Sequence, residues 1–203
     1  MDNQAYLNQI SASTRPEKKS NSFLSSTIFK VIIGGVAAFI LIIILGAVIN
    51  GGKTDNKTKC ISLYFYTGNL TNIIDTYQSS IKSSTLRGSS ASLKSLVSSV
   101  NSEINNYLVA KYEFKEKNAD EKLVANETAL YEELNNDLFE AKINGLLDRT
   151  YARKMAYEIS ILQTRESEIY KSISDETLKQ VLSSSYDSLE NIFESFDSFS
   201  ETK

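Results

Sequence analysis

From residue 60 onward, apolar residues return every three to four positions, the spacing of helices that each bury one face. Five such stretches predict five helices. The first, over about 61–84, carries Leu70, Ile73, Ile74, Tyr77 and Ile81. The second, over about 90–116, carries Leu93, Val97, Val100, Ile104 and Leu108. The third, over about 119–144, carries Leu123, Leu130, Leu134, Leu138 and Ala141. The fourth, over about 148–173, carries Tyr151, Met155, Ile159, Leu162 and Ile169. The fifth, over about 175–198, carries Leu178, Leu182, Leu189, Phe193 and Phe196. Short connections predict antiparallel neighbours.

Turn and cap residues mark the limits. Gly88 is placed in the first turn, and Asn144-Gly145 ends the third helix, because both residues tolerate left-handed backbone. Asn118 with Glu121 reads as a capping box, and Asp148 and Ser174 as further N-caps. Gly68 is the point at which the first helix is expected to break or start late.

A different pattern precedes the bundle. Val31 to Ile49 holds only apolar residues and Gly. Such a run rises roughly 28 Å as a helix, close to the ~30 Å hydrocarbon core of a bilayer. It has no polar stripe, so a transmembrane helix over 28–50 is predicted, with the bilayer as its partner. A cleaved signal is disfavoured: the run is too long and Ala47-Val48-Ile49 is a poor cleavage site. Gly34 and Ala38 form a small-xxx-small pair, a candidate surface for packing two copies in a membrane.

Residues 1–27 are polar and Ser/Asn-rich and read as a disordered tail, and 51–59 as a linker before the domain 60–203. The start Tyr6-Leu7-Asn8-Gln9-Ile10, a basic stretch and then a Gly-Gly-containing apolar run resembles small envelope proteins of Saccharibacteria-type ultra-small bacteria. The resemblance covers about the first fifty residues. It implies a bacterial cell envelope and carries over no functional residue.

Composition narrows the chemistry. The 203 residues include no His and one Cys, Cys60. Catalysis through His, imidazole metal ligands and an intrachain disulfide are therefore excluded. Ser79-Ser80-Ile81-Lys82 matches S-x-x-K, but Ser and Lys are abundant enough here for a chance match, and the companion motifs are absent. No phosphate loop, dinucleotide fingerprint or calcium loop occurs, so no cofactor is expected.

The net charge of -3 divides unevenly, into +4 over the first 59 residues and -7 beyond. Nothing suggests nucleic-acid binding. The basic residues Arg15, Lys18, Lys19 and Lys30 precede the apolar run, and Lys53, Lys57 and Lys59 follow it. This near-tie, with the long C-terminal domain, favours a cytoplasmic N-terminus and an extracytoplasmic domain.

Asp187, Glu190, Glu194, Asp197 and Glu201 recur on one face of the fifth helix. This stripe reads as a solvated face, with a cation or a basic partner as its rival. A third account sets it against Arg149, Arg153 and Lys154 at the start of the fourth helix. Cys60, at the head of the domain, is a candidate interchain thiol.

The sequence thus predicts an all-α protein with one transmembrane helix and an elongated antiparallel bundle of four to five helices. The expected role is non-enzymatic: envelope organisation or protein interaction, with an unknown protein partner. The alternative is an anchored small-ligand sensor acting through a partner.

Overall fold

A computed structural model describes residues 55–201, the side chains of the last two excepted. The predicted membrane helix, Gly34, Ala38 and the N-terminal tail lie outside the described residues. Among the described residues, no helix is long and apolar enough to cross a membrane.

The described chain is all-helical. The five helices are α1 (Asn56–Tyr77), α2 (Ser84–Tyr112), α3 (Glu121–Ile143), α4 (Leu147–Ser172) and α5 (Glu176–Glu201). Helices α1, α2, α5 and α4 form a closed ring, and α3 lies in the outer groove between α1 and α4. Three of the connections join antiparallel neighbours. The exception is α2 to α3, which scarcely touch each other. Segment 113–120 carries the chain past the start of α1, so that α3 runs parallel to α1.

Ring closure buries most of the apolar stripes in one core; on α3, which lies outside the ring, Leu130 of the predicted stripe is exposed and Leu123 only half-buried. Leu63, Ile73, Leu93, Ile104, Met155, Ile159, Leu189 and Phe196 are all fully buried. Tyr151 of α4 is fully buried, packed against Phe196 of α5 with ring centroids 6.1 Å apart. Its hydroxyl lies 3.2 Å from Ser90 Oγ of α2, which satisfies the one polar atom that this large side chain brings inside.

Several local expectations are corrected. Helix α1 begins at Asn56 rather than near 61, capped by the Asp55 carboxylate accepting from Thr58 N. Gly68 does not interrupt α1; its neighbours bury their side chains and hold the turn in place. Gly88 lies inside α2, and the first turn is made instead by 78–83, where Ile81 anchors the connection in the core. Asp120 rather than Asn118 caps α3, accepting from Leu123 N at 3.0 Å. Asp175 rather than Ser174 caps α5, accepting from Leu178 N at 2.9 Å.

The Asn144-Gly145 stop is as predicted. Gly145 adopts φ +71°, and Leu146 N returns to Ala141 O at 2.8 Å, closing the last turn of α3. Helix α2 ends without a glycine. Glu113 takes φ 50°, and the chain folds back to bury Phe114.

Candidate functional site: the polar seam holding α3

The densest polar cluster lies where α1, α3 and α4 meet. Ser62 Oγ donates to Glu127 Oε1 at 2.6 Å. Arg165 Nη1 donates to the same carboxylate oxygen at 2.7 Å and to Ser62 Oγ at 2.8 Å. The Arg165 guanidinium also stacks 4.2 Å from the centroid of the Tyr66 ring. Tyr66 in turn donates its hydroxyl to Glu158 Oε2 at 2.7 Å. Asn69 Nδ2 binds the Glu127 backbone carbonyl at 3.1 Å, which fixes the register of α3 on α1.

Burial makes these contacts consequential. Glu127 is 7% exposed and its second oxygen, Oε2, is buried with no hydrogen-bond partner. An ionised carboxylate in that position depends on Arg165 for compensation. Burial raises the Glu158 carboxyl above its ordinary value, although the Tyr66 hydroxyl opposes the shift. Burial, reinforced by Glu158, pushes the Tyr66 phenol well above its usual range.

Chemically, the seam resembles a lock more than a reaction centre. Ser62 has a carboxylate beside it, but that carboxylate is already engaged by an arginine. The guanidinium is stacked on Tyr66 and bonded inward rather than directed at an open cavity. Further along the same groove, Lys154 of α4 pairs with Asp137 of α3, and Tyr77 donates to Asn135 O at 2.8 Å. A line of polar contacts therefore follows α3 along most of its length.

A second buried acid lies between α4 and α5. Glu166 is 1% exposed; Ser185 Oγ donates to its Oε1 at 2.8 Å, and Oε2 has no hydrogen-bond partner. Burial pushes this carboxyl up to about 8, with the Ser185 hydroxyl pulling the other way.

None of these groups stood out in the sequence, yet a signal existed. Glu127 falls in register with Leu134, Leu138 and Ala141, and Glu166 falls between Leu162 and Ile169. A charged residue in a core position is the pattern that marks such a site.

The residues singled out earlier are scattered. Cys60 is fully buried, and burial pushes its thiol up to about 12, so the sulfur is neither presented to a second chain nor readily ionised. Asp187, Glu190 and Glu194 are exposed along α5, Asp197 is half-buried, and Glu201 is the last residue of that helix. Among the described residues, no group of three or more Cys, Asp or Glu could hold a metal ion. Arg149, at the start of α4, and Phe199, near the end of α5, line one cleft. Lys154 instead turns to Asp137 on α3.

No protein-family model matches this chain, and no curated protein or solved structure matches it. Its function is therefore argued from its own residues.

Proposed function

We propose that this chain is a non-enzymatic, single-pass membrane protein. It is anchored through residues 28–50, with a cytoplasmic N-terminus and a helical bundle displayed outside the cytoplasm. Its role is envelope organisation or contact with another protein. The observation that carries this reading is the uninterrupted apolar run from Val31 to Ile49, long enough to span a bilayer. The interlocked polar seam supports it in a second way: a body whose charged groups are engaged with one another suits a rigid display element.

Cys60 is too deeply buried to report topology, so the test needs an introduced thiol. Leu130 is 49% exposed on α3 and suits that purpose. In intact cells, a membrane-impermeant maleimide should label Leu130→Cys, and the protein should stay with membranes through an alkaline wash. Labelling only after lysis would overturn the orientation. Release by the wash would overturn the anchor.

A further inference from the structure

Two carboxyl groups are buried against α4, and only one has a cation. Glu127 of α3 meets Arg165 at 2.7 Å. Glu166, the next residue of α4, lies between α4 and α5 and is 1% exposed. Its Oε1 accepts the Ser185 hydroxyl at 2.8 Å, and its Oε2 has no hydrogen-bond partner. The core positions on either side, Leu162 and Ile169 on α4 and Leu182 and Leu189 on α5, are apolar and buried.

None of the charged groups on the surrounding helices offsets it. On α4, Arg165 is turned to Glu127, and Glu168 and Lys171 are exposed. On α5, Lys179 pairs with Glu176 at 3.0 Å, and Asp187 and Glu190 are exposed. Asp175 caps that helix. On α1, Lys59 is half-buried, and burial pushes the Cys60 thiol up to about 12. On α2, which borders α5, Glu103 is half-buried, and burial raises the Tyr107 phenol. On α3, Glu127 is held by Arg165. Burial and the Ser185 hydroxyl are the influences that act on Glu166.

The two borders of α5 differ. Towards α4 it is held by apolar contacts and by Ser185. Towards α2 it leaves a cleft of about 510 Å³ lined by Ser92, Ser95, Leu96, Ser99, Ser188 and Ile192. Helix α4, by contrast, is fastened to α1 and α3 by the polar seam. Any movement that brings water to Glu166 therefore falls on α5. It turns about residues 173–175, between the end of α4 at Ser172 and the start of α5 at Glu176.

We propose that Glu166 is a proton-operated latch on α5. While its carboxyl holds a proton, α5 closes the ring. Once the proton leaves, the buried carboxylate has neither a cation nor a partner for Oε2, and α5 lifts from α4 until water reaches it. The closed form binds the proton and the lifted form has an ordinary carboxyl, so rising pH favours the lifted form. The carboxyl stands at about 8 in the closed form, against an ordinary 4.5, which sets the window. A lifted α5 loses the packing that supplies most helical stability, so its amides exchange with solvent. A general loss of stability would loosen all five helices together, whereas the latch loosens α5 alone.

The test is amide hydrogen exchange on the full chain in detergent, read by mass spectrometry and corrected for the intrinsic dependence of exchange on pH. Protection over 176–201 should fall about tenfold or more between about pH 6 and pH 8, while protection over 56–77 and 121–143 stays within about twofold. Glu166→Gln should hold the protection of 176–201 constant across that range. Ser185→Ala, which removes the one donor to the carboxylate, should move the fall to higher pH. Unchanged protection of 176–201 in the wild type would overturn the latch. So would a fall of equal size in all five helices, or one that persists in Glu166→Gln. If the amide variant does not fold, Glu166→Met, apolar and of similar length, supplies the same comparison.

Discussion

Helices α3 and α5 are similar in length, but they are held by opposite means. Helix α5 closes the ring and buries Leu178, Leu182, Leu189 and Phe196. Helix α3 lies outside the ring and buries only Leu134, Leu138, Ala141 and the carboxylate-bearing Glu127. Apolar burial dominates the hold on α5, joined by one buried polar contact, from Ser185 to Glu166 of α4. Polar contacts set α3 in one register, because Glu127 must meet Ser62, Asn69 and Arg165, Asn135 must meet Tyr77, and Asp137 must meet Lys154. The difference separates a helix held mainly by apolar burial from one positioned mainly by polar contacts.

The largest expected effect is on the apolar side of this comparison. Phe196→Ala should cost about 3–5 kcal/mol by opening a cavity against Tyr151, read as a lowered denaturant midpoint. If α5 were no more essential to the core than α3, the loss would be far smaller.

The seam comes next. Arg165→Ala should cost about 2–4 kcal/mol, because it leaves the Glu127 carboxylate buried and uncompensated. Hydrogen exchange should then rise in 121–143 before it rises in the ring. Replacing the pair together, Glu127→Met with Arg165→Met, should recover most of the loss. Failure to recover would mean that the seam contributes stability beyond the ion pair.

The third prediction concerns pH. Burial pushes the Glu166 carboxyl up to about 8 in the folded protein, above its ordinary value of 4.5. The folded protein therefore holds a proton that the unfolded chain releases. Stability is full below the unfolded value and falls as pH rises through the window from there to about 8. Glu166→Gln should remove this slope and stabilise the protein at pH 8–9 by roughly a few kcal/mol. A wild-type stability curve that stays flat across the window would refute the assignment.

Glycine substitutions follow. A Cβ at Gly68 would meet only Asn101 Nδ2, at 3.7 Å, and at Gly88 nothing within 4 Å. Ala at either position should stabilise by about 0.5–1 kcal/mol, since both are helical. Gly145→Ala should instead cost about 1–2 kcal/mol because of its positive φ. Thermal melts distinguish the signs. The smallest effect belongs to the acidic face of α5: Glu190→Gln should change stability by no more than about 0.5 kcal/mol.

Much of the ring was legible in advance. The stripes of α2, α4 and α5 kept a helical period, and the core they form follows from it. The Asn144-Gly145 stop was legible because its signal is local. The positions of Gly68 and Gly88 were not, because buried neighbours override a propensity of about 1 kcal/mol. Capping shifted by one or two residues at α3 and α5 because several polar side chains compete there, whereas α4 has no side-chain cap at all: Asp148, the expected cap, lies in its first turn and accepts from Lys82 N and Ser83 N instead.

The candidate seam was nearly invisible. Ser62, Glu127 and Arg165 are separated by 65 and 38 positions, and no local rule links them. Sequence alone determined the five helices of the body, the charge contrast between the two parts of the chain and the absence of imidazole chemistry and of an intrachain disulfide. These depend on local periodicity and on counts. Only the tertiary structure decided that α3 lies parallel to α1, that Cys60 is sealed inside, and that Phe139, Ile143 and Leu146 stay exposed. Each of those depends on which surfaces meet in space, and a helical stripe states that a face is apolar without stating which partner will cover it.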